Sequence, residues 1–117
     1  MAIPGAEVVV RVAARAALEK NALDVVVLDL QGLSAIADFF LICSARSTTQ
    51  ANTVAEAVRI ALRTQGARPR HTEGDAEGGW LLLDYGDVVV HVFLEATREF
   101  YALERLWGDA PLVSVEG

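Results

Sequence analysis

The chain has a single cysteine, Cys43, in 117 residues, which excludes an internal disulfide and any multi-cysteine zinc site. Cys43 stands inside an apolar run, where it reads as a small buried hydrophobe, and a reducing compartment suits it. No stretch reaches the ~18 consecutive apolar residues that a membrane span requires. The N-terminal stretch MAIPGAEVVVRVAARAALEK has no charged region leading into a long apolar core, and it holds Glu7 and no serine. Signal and transit peptides do not read that way, so a cytoplasmic protein is expected. No glycine-rich phosphate loop follows a strand and opens a helix. The two histidines, His71 and His91, stand twenty residues apart without acidic or thiol partners at ligand spacing. No metal and no cofactor are therefore expected. Nothing around Ser44 or Cys43 resembles a nucleophile elbow.

What is present is apolar and acidic. Hydrophobic residues make up 53% and charged residues 22%, the composition of a folded chain, and residues 1–117 are expected to form a single domain. The net charge is −6, and it is uneven. From Trp80 onward, seven acids face Arg98 and Arg105, which gives −5 and leaves −1 for residues 1–79. That acidic third either solvates the surface or suits a basic partner; it repels nucleic-acid phosphates.

The same third, WLLLDYGDVVVHVFLEATREFYALERLW, organises the chain. Gly86-Asp87 divides two strand-forming runs, and a two-residue loop with glycine first suits a type II′ turn. Such a turn places Tyr85 opposite Val88, Asp84 opposite Val89, Leu82 opposite His91 and Trp80 opposite Phe93. One face then carries Leu81, Leu83, Tyr85, Val88, Val90 and Val92, and belongs to the core. The other carries Trp80, Leu82, Asp84, Val89, His91 and Phe93. That mixed face is either a second core face or a binding surface, since aromatics beside a few polar groups also describe interface hot spots. A helix should follow Glu95, with Thr97 as N-cap, Phe100, Leu103 and Trp107 toward the sheet, and Gly108 as its stop. Asp84 and Asp87 flank the turn, where turn chemistry competes with metal binding as their explanation.

Upstream, residues 6–20 read as a helix with Val8, Val9, Val12, Ala13 and Ala16 inward and Asn21 as C-terminal cap. Val25–Leu30 and Phe39–Ser44 read as central strands, apolar on both faces. Ser47 and Gln50 form a capping box. Its helix should run to about Gln65, with Ala51, Val54, Ala55, Val58 and Leu62 inward, and Gly66 should end it. A short strand at Arg70–Glu73 and a loop at Gly74–Gly79 lead to Trp80. The expected fold is α/β (α+β): one mixed sheet of about five strands with flanking helices.

Several motifs coincide: Asp24-Val-Val-Val-Leu-Asp29, Ala37-Asp38-Phe39-Phe40, Ser44, Ser47 with Gln50, Glu73-Gly74, Trp80, Asp84-Tyr85-Gly86-Asp87, His91-Val92-Phe93, Arg98, Phe100-Tyr101, Leu103-Glu104 and Leu106-Trp107. In order and spacing they resemble the ribosomal silencing factor (RsfS, or Iojap-like) family, from about Glu7 to Ala110. One departure is Ala45, where the family usually has glycine. The resemblance implies a nucleotidyltransferase-like topology without that chemistry. It also implies a non-enzymatic repressor of translation under nutrient limitation. Such a protein binds ribosomal protein uL14 on the large subunit, blocks the small subunit by its bulk, and forms a homodimer off the ribosome. No membrane contact and no sequence-specific nucleic-acid binding are implied. Trp80, Asp84, Tyr85, His91, Arg98, Tyr101, Glu104 and Trp107 are the candidates for the partner surface or its direct support. The competing reading is a nucleotidyltransferase-like enzyme using Asp84, Asp87 or Asp38 with Mg²⁺. Against it, the chain lacks the glycine-serine turn and the aspartates one residue apart that such enzymes use.

Overall fold

A computed structural model describes residues 5–101 and 110–113, with 99–101 described by backbone alone. The elements run α1 (Ala6–Glu19), β1 (Leu23–Asp29), β2 (Phe39–Ala45), α2 (Thr48–Thr64), β3 (His71–Asp75), β4 (Trp80–Asp84), β5 (Val88–Leu94), α3 (Glu95–Tyr101) and β6 (Leu112–Val113). They build one mixed sheet in the order β3-β4-β5-β2-β1-β6. The central pair, β2 and β5, is parallel; the other pairs are antiparallel. Among the described residues the sheet has six strands where about five were expected. The sixth is two residues long and pairs with β1, too short to leave a periodicity.

The hairpin follows the register fixed by its turn. Trp80 opposes Phe93, Leu82 opposes His91 and Asp84 opposes Val89. Gly86 has φ +91°, and Asp87 is not in the left-handed region, as a II′ turn requires.

Helices α1 and α2 cover one sheet face. On α2 the buried side chains are Ala51, Val54, Ala55, Val58 and Leu62, the expected stripe. Leu41, Leu83, Val90 and Val92 meet them from the sheet, and a fully buried leucine or valine stabilises by about 1.5–3 kcal/mol. On α1 Val9, Ala13 and Ala16 are buried as expected and Val12 packs partly covered, but Val8 is 48% exposed, and Val10, Ala14 and Ala17 are buried as well. The valine run at 8–10 offers an apolar residue on every side, so the alanines, which allow close approach to the sheet, decide the orientation.

Both long helices end in the same way. Asn21 (φ +63°) and Gly66 (φ +84°) occupy the left-handed position after the last turn. The next amide reaches back in each case, Ala22 to the carbonyl of Ala17 (3.1 Å) and Ala67 to that of Leu62 (2.9 Å), the Schellman arrangement. Ser47 Oγ caps α2 by accepting from the Gln50 amide at 3.1 Å. Gln50 departs from the expected box. Its Oε1 accepts from the Arg46 amide (2.8 Å), and its Nε2 donates to the Asn21 carbonyl (2.9 Å). It therefore ties the start of α2 to the end of α1.

Helix α3 begins at Glu95, directly off β5, so Thr97 lies inside the helix and is not its N-cap. Thr97 packs on Gly79, where an added Cβ would collide with its hydroxyl. The expected inward face at Phe100, Leu103 and Trp107 and the stop at Gly108 lie outside the described side chains. Ala45, the departure from the family pattern, is simply the buried last residue of β2.

Candidate partner-binding face

The second sheet face grades from buried to open. At its centre Leu28, Leu30, Ile42, Phe93 and Ala110 form a smaller core, with Val26, Phe40 and Trp80 partly covered against it. Toward the free edge, β4 presents Trp80, Leu82 and Asp84, all half-buried, and every residue of β3 is exposed. By register, Asp75 lies beside Trp80, Glu73 beside Leu82 and His71 beside Asp84. The mixed face is thus divided between strands: β5 contributes core, and β4 with β3 is open to solvent.

Trp80 is held in place from beneath. Its indole Nε1–H donates to His91 Nδ1 at 3.1 Å. Its ring stacks on Phe93 at 5.1 Å between centroids, tilted by 25°. His91 is 3% exposed and meets Phe40 edge-on at 4.6 Å. Burial lowers the His91 pKa to about 4, so at neutral pH Nδ1 has the lone pair that the indole needs. Its Nε2 is buried without a hydrogen-bond partner. A shallow pocket of 130 Å³ lies beside the indole, walled by Glu73, Gly74 and Leu82.

The other candidates separate. His91 lies under the surface and supports Trp80 without reaching a partner. Arg98 is 8% exposed. Its Nη1 donates to the Asp24 carbonyl (2.6 Å) and to Ser44 Oγ (3.0 Å). Asp24 sits at a bulge in β1 with φ +48°, so Arg98 fastens an irregular strand start and is a support. Asp84 is occupied by the turn, accepting from the Gly86 amide at 2.7 Å. Tyr85 is half-buried on the helix-covered face with a buried, unpartnered hydroxyl, whose pKa burial raises. It does not share the face of Trp80. The side chain of Tyr101, and all of Glu104 and Trp107, lie outside the described residues. Two contributors escaped sequence reasoning. Leu82 was assigned to this face but not singled out, and Phe40 comes under His91 only through the parallel β2–β5 pairing. Cys43 is fully buried, with its thiol pushed up to about 12 by burial.

A family model described as ribosomal silencing factor during starvation matches residues 4–117. The chain belongs to the ribosomal silencing factor family. It is 45% identical to the ribosomal silencing factor RsfS of Halalkalibacterium halodurans and 42% identical to that of Bacillus subtilis, each over 92% of both chains. A crystal structure of a Chromobacterium violaceum protein superposes with a TM-score of 0.84 at 32% identity, covering 92% of this chain and 88% of that one. The mixed sheet and its helices are thus the silencing-factor fold, and the name of the family attaches the chain to translation regulation. No helix among the described residues is long and apolar enough to cross a membrane.

Proposed function

We propose that this silencing-factor chain docks on the large ribosomal subunit through uL14 and keeps the small subunit away by occupying space, without catalysis. One observation carries the reading: a half-exposed indole, fixed by His91 and Phe93, stands beside the acids of β3. A pre-ordered aromatic pays little entropy on binding, and buried tryptophans dominate interface energetics. The acidic flank suits a basic ribosomal protein. Asp84 is committed to the turn, which weighs against the Mg²⁺-dependent alternative.

The test is cosedimentation with purified large subunits, together with a light-scattering assay of subunit joining. The wild-type chain should cosediment and suppress joining. Trp80→Ala should weaken binding to isolated uL14 by about 2 kcal/mol or more while the chain stays folded. Full uL14 affinity in folded Trp80→Ala, or joining that proceeds normally at saturating wild-type protein, would overturn the proposal.

A further inference from the structure

Between Ala57 and Thr72 the sequence holds four arginines and no acid, in a chain of net charge −6. Arg59 and Arg63 stand one turn apart on α2 and share a helix face. Arg68 follows the glycine that ends α2. It lines a cleft of 240 Å³ together with Ala6, Val9, Tyr85 and Val88. The Arg70 guanidinium lies over the hairpin tip, 3.0 Å from where a Cβ on Gly86 would stand. Tyr85 joins the two pairs: its hydroxyl feels the charges of Arg59 and Arg63, and its side chain walls the cleft with Arg68. The four charges therefore gather around the β4–β5 turn, at the opposite end of β4 from Trp80, roughly 17 Å away by strand rise.

Among the described residues none of these four side chains has a hydrogen bond or ion pair. The acids nearby are mostly committed elsewhere. Glu7 holds Arg11 at 3.2 Å, Glu73 faces His71 at 3.3 Å, and Asp84 accepts from the turn amide. Asp87 lines the cleft and Glu56 precedes Arg59 by three residues, neither in an ion pair. Tyr85 stays a neutral phenol at pH 7, so it cancels none of the charge. One basic side chain near the end of α2 would complement the helix dipole. Four, converging from a helix, a loop and the approach to a strand, exceed that need.

We infer that Arg59, Arg63, Arg68 and Arg70 form a second contact surface, which holds the backbone phosphates of folded RNA without reading its sequence. Guanidinium forks match phosphate oxygens, and such contacts position a protein without specifying bases. The identity of the RNA rests on the proposed large-subunit docking: a uL14-bound chain has ribosomal RNA as its neighbouring polyanion.

The experiment uses the full chain and a fluorescein-labelled RNA hairpin of about twenty base pairs, read by anisotropy. The wild type should bind at 50 mM KCl and lose roughly a hundredfold in affinity by 200 mM, the slope of about four neutralised phosphates. Replacing all four arginines by Gln should cost tenfold or more at 50 mM and flatten that slope. Replacing them by Lys should preserve both. R68Q/R70Q, confined to the loop, should give part of the loss if the fourfold variant fails to fold. Both Gln variants, when folded, should bind isolated uL14 like wild type. Wild-type RNA affinity in the folded Gln variants would overturn the inference. So would wild-type binding to phosphatidylglycerol vesicles but not to RNA, or to neither. Arginine-dependent RNA binding by a chain that does not cosediment with large subunits would support the phosphate surface and sink the docking proposal.

Discussion

His91 makes a stability switch out of a packing residue. Its folded pKa of about 4 lies below the ordinary 6.5 because burial disfavours the cation. Above pH 6.5 both folded and unfolded chains hold it neutral, and its contribution to stability is fully present. Between pH 6.5 and about 4 only the unfolded chain takes the proton, so stability falls as pH drops; below 4 the slope disappears. The total loss is about 3 kcal/mol. Urea denaturation from pH 7 to 4 should show that extra slope in wild type, and His91→Asn, whose side-chain oxygen can still accept the indole proton, should lack it. Equal slopes in the two proteins would rule the account out. The pairing of Trp80 with His91 was not visible in the sequence as a bond, although the turn register put Phe93 opposite Trp80 and His91 on the same face. Arg98 carried no signal of burial at all, because its acceptors, Asp24 and Ser44, lie 74 and 54 residues away in sequence.

Elements were legible where local chemistry fixes them. The Ser47–Gln50 box located α2, the Gly86 turn fixed the hairpin register, and Gly66 and Asn21 marked the helix ends. On α1 the valine run put Val8 inward in place of Val10, while Val9, Ala13 and Ala16 were read correctly, and α3 was begun three residues late because Glu95 continues from β5 without a side-chain cap. Strand order was illegible: nothing local tells β2 that it will lie parallel to β5. Gln50 shows how elements are joined. Its single side chain accepts from Arg46 and donates to Asn21, so one amide locks the α1 terminus to the α2 entry. Gln50→Ala should lower stability by about 1–2 kcal/mol through the unpaired groups it leaves. Ser47→Ala should cost about 1 kcal/mol as an ordinary cap loss. Chemical denaturation of both variants checks this, and a neutral Gln50→Ala would show that water replaces the lock.

At the scale of the molecule, several large apolar side chains remain uncovered on the described surface. Ile36 is 80% exposed and Leu112 is 71%, with Val8, Leu33 and Ile60 near half. Exposed apolar groups in a small chain tend to be covered by a partner, in keeping with the homodimer off the ribosome that the family resemblance implies. Light scattering should give a mass that rises toward twice the monomer with concentration. A constant monomer mass up to high micromolar concentration would refute it.

The parallel seam at the centre of the sheet has a consequence in time. Phe39 pairs with Val88 and Ala45 with Leu94, partners 49 positions apart in sequence. Pairings of such long range are slow, because loop-closure entropy is lost before the contact repays it. Nascent chain that has emerged only through α2 holds β1 and β2 but none of the strand that must lie beside them. The platform under Trp80 cannot exist until β5 has been made. On the docking proposed above, a nascent chain that stops short of β5 has no ordered Trp80 to offer the ribosome.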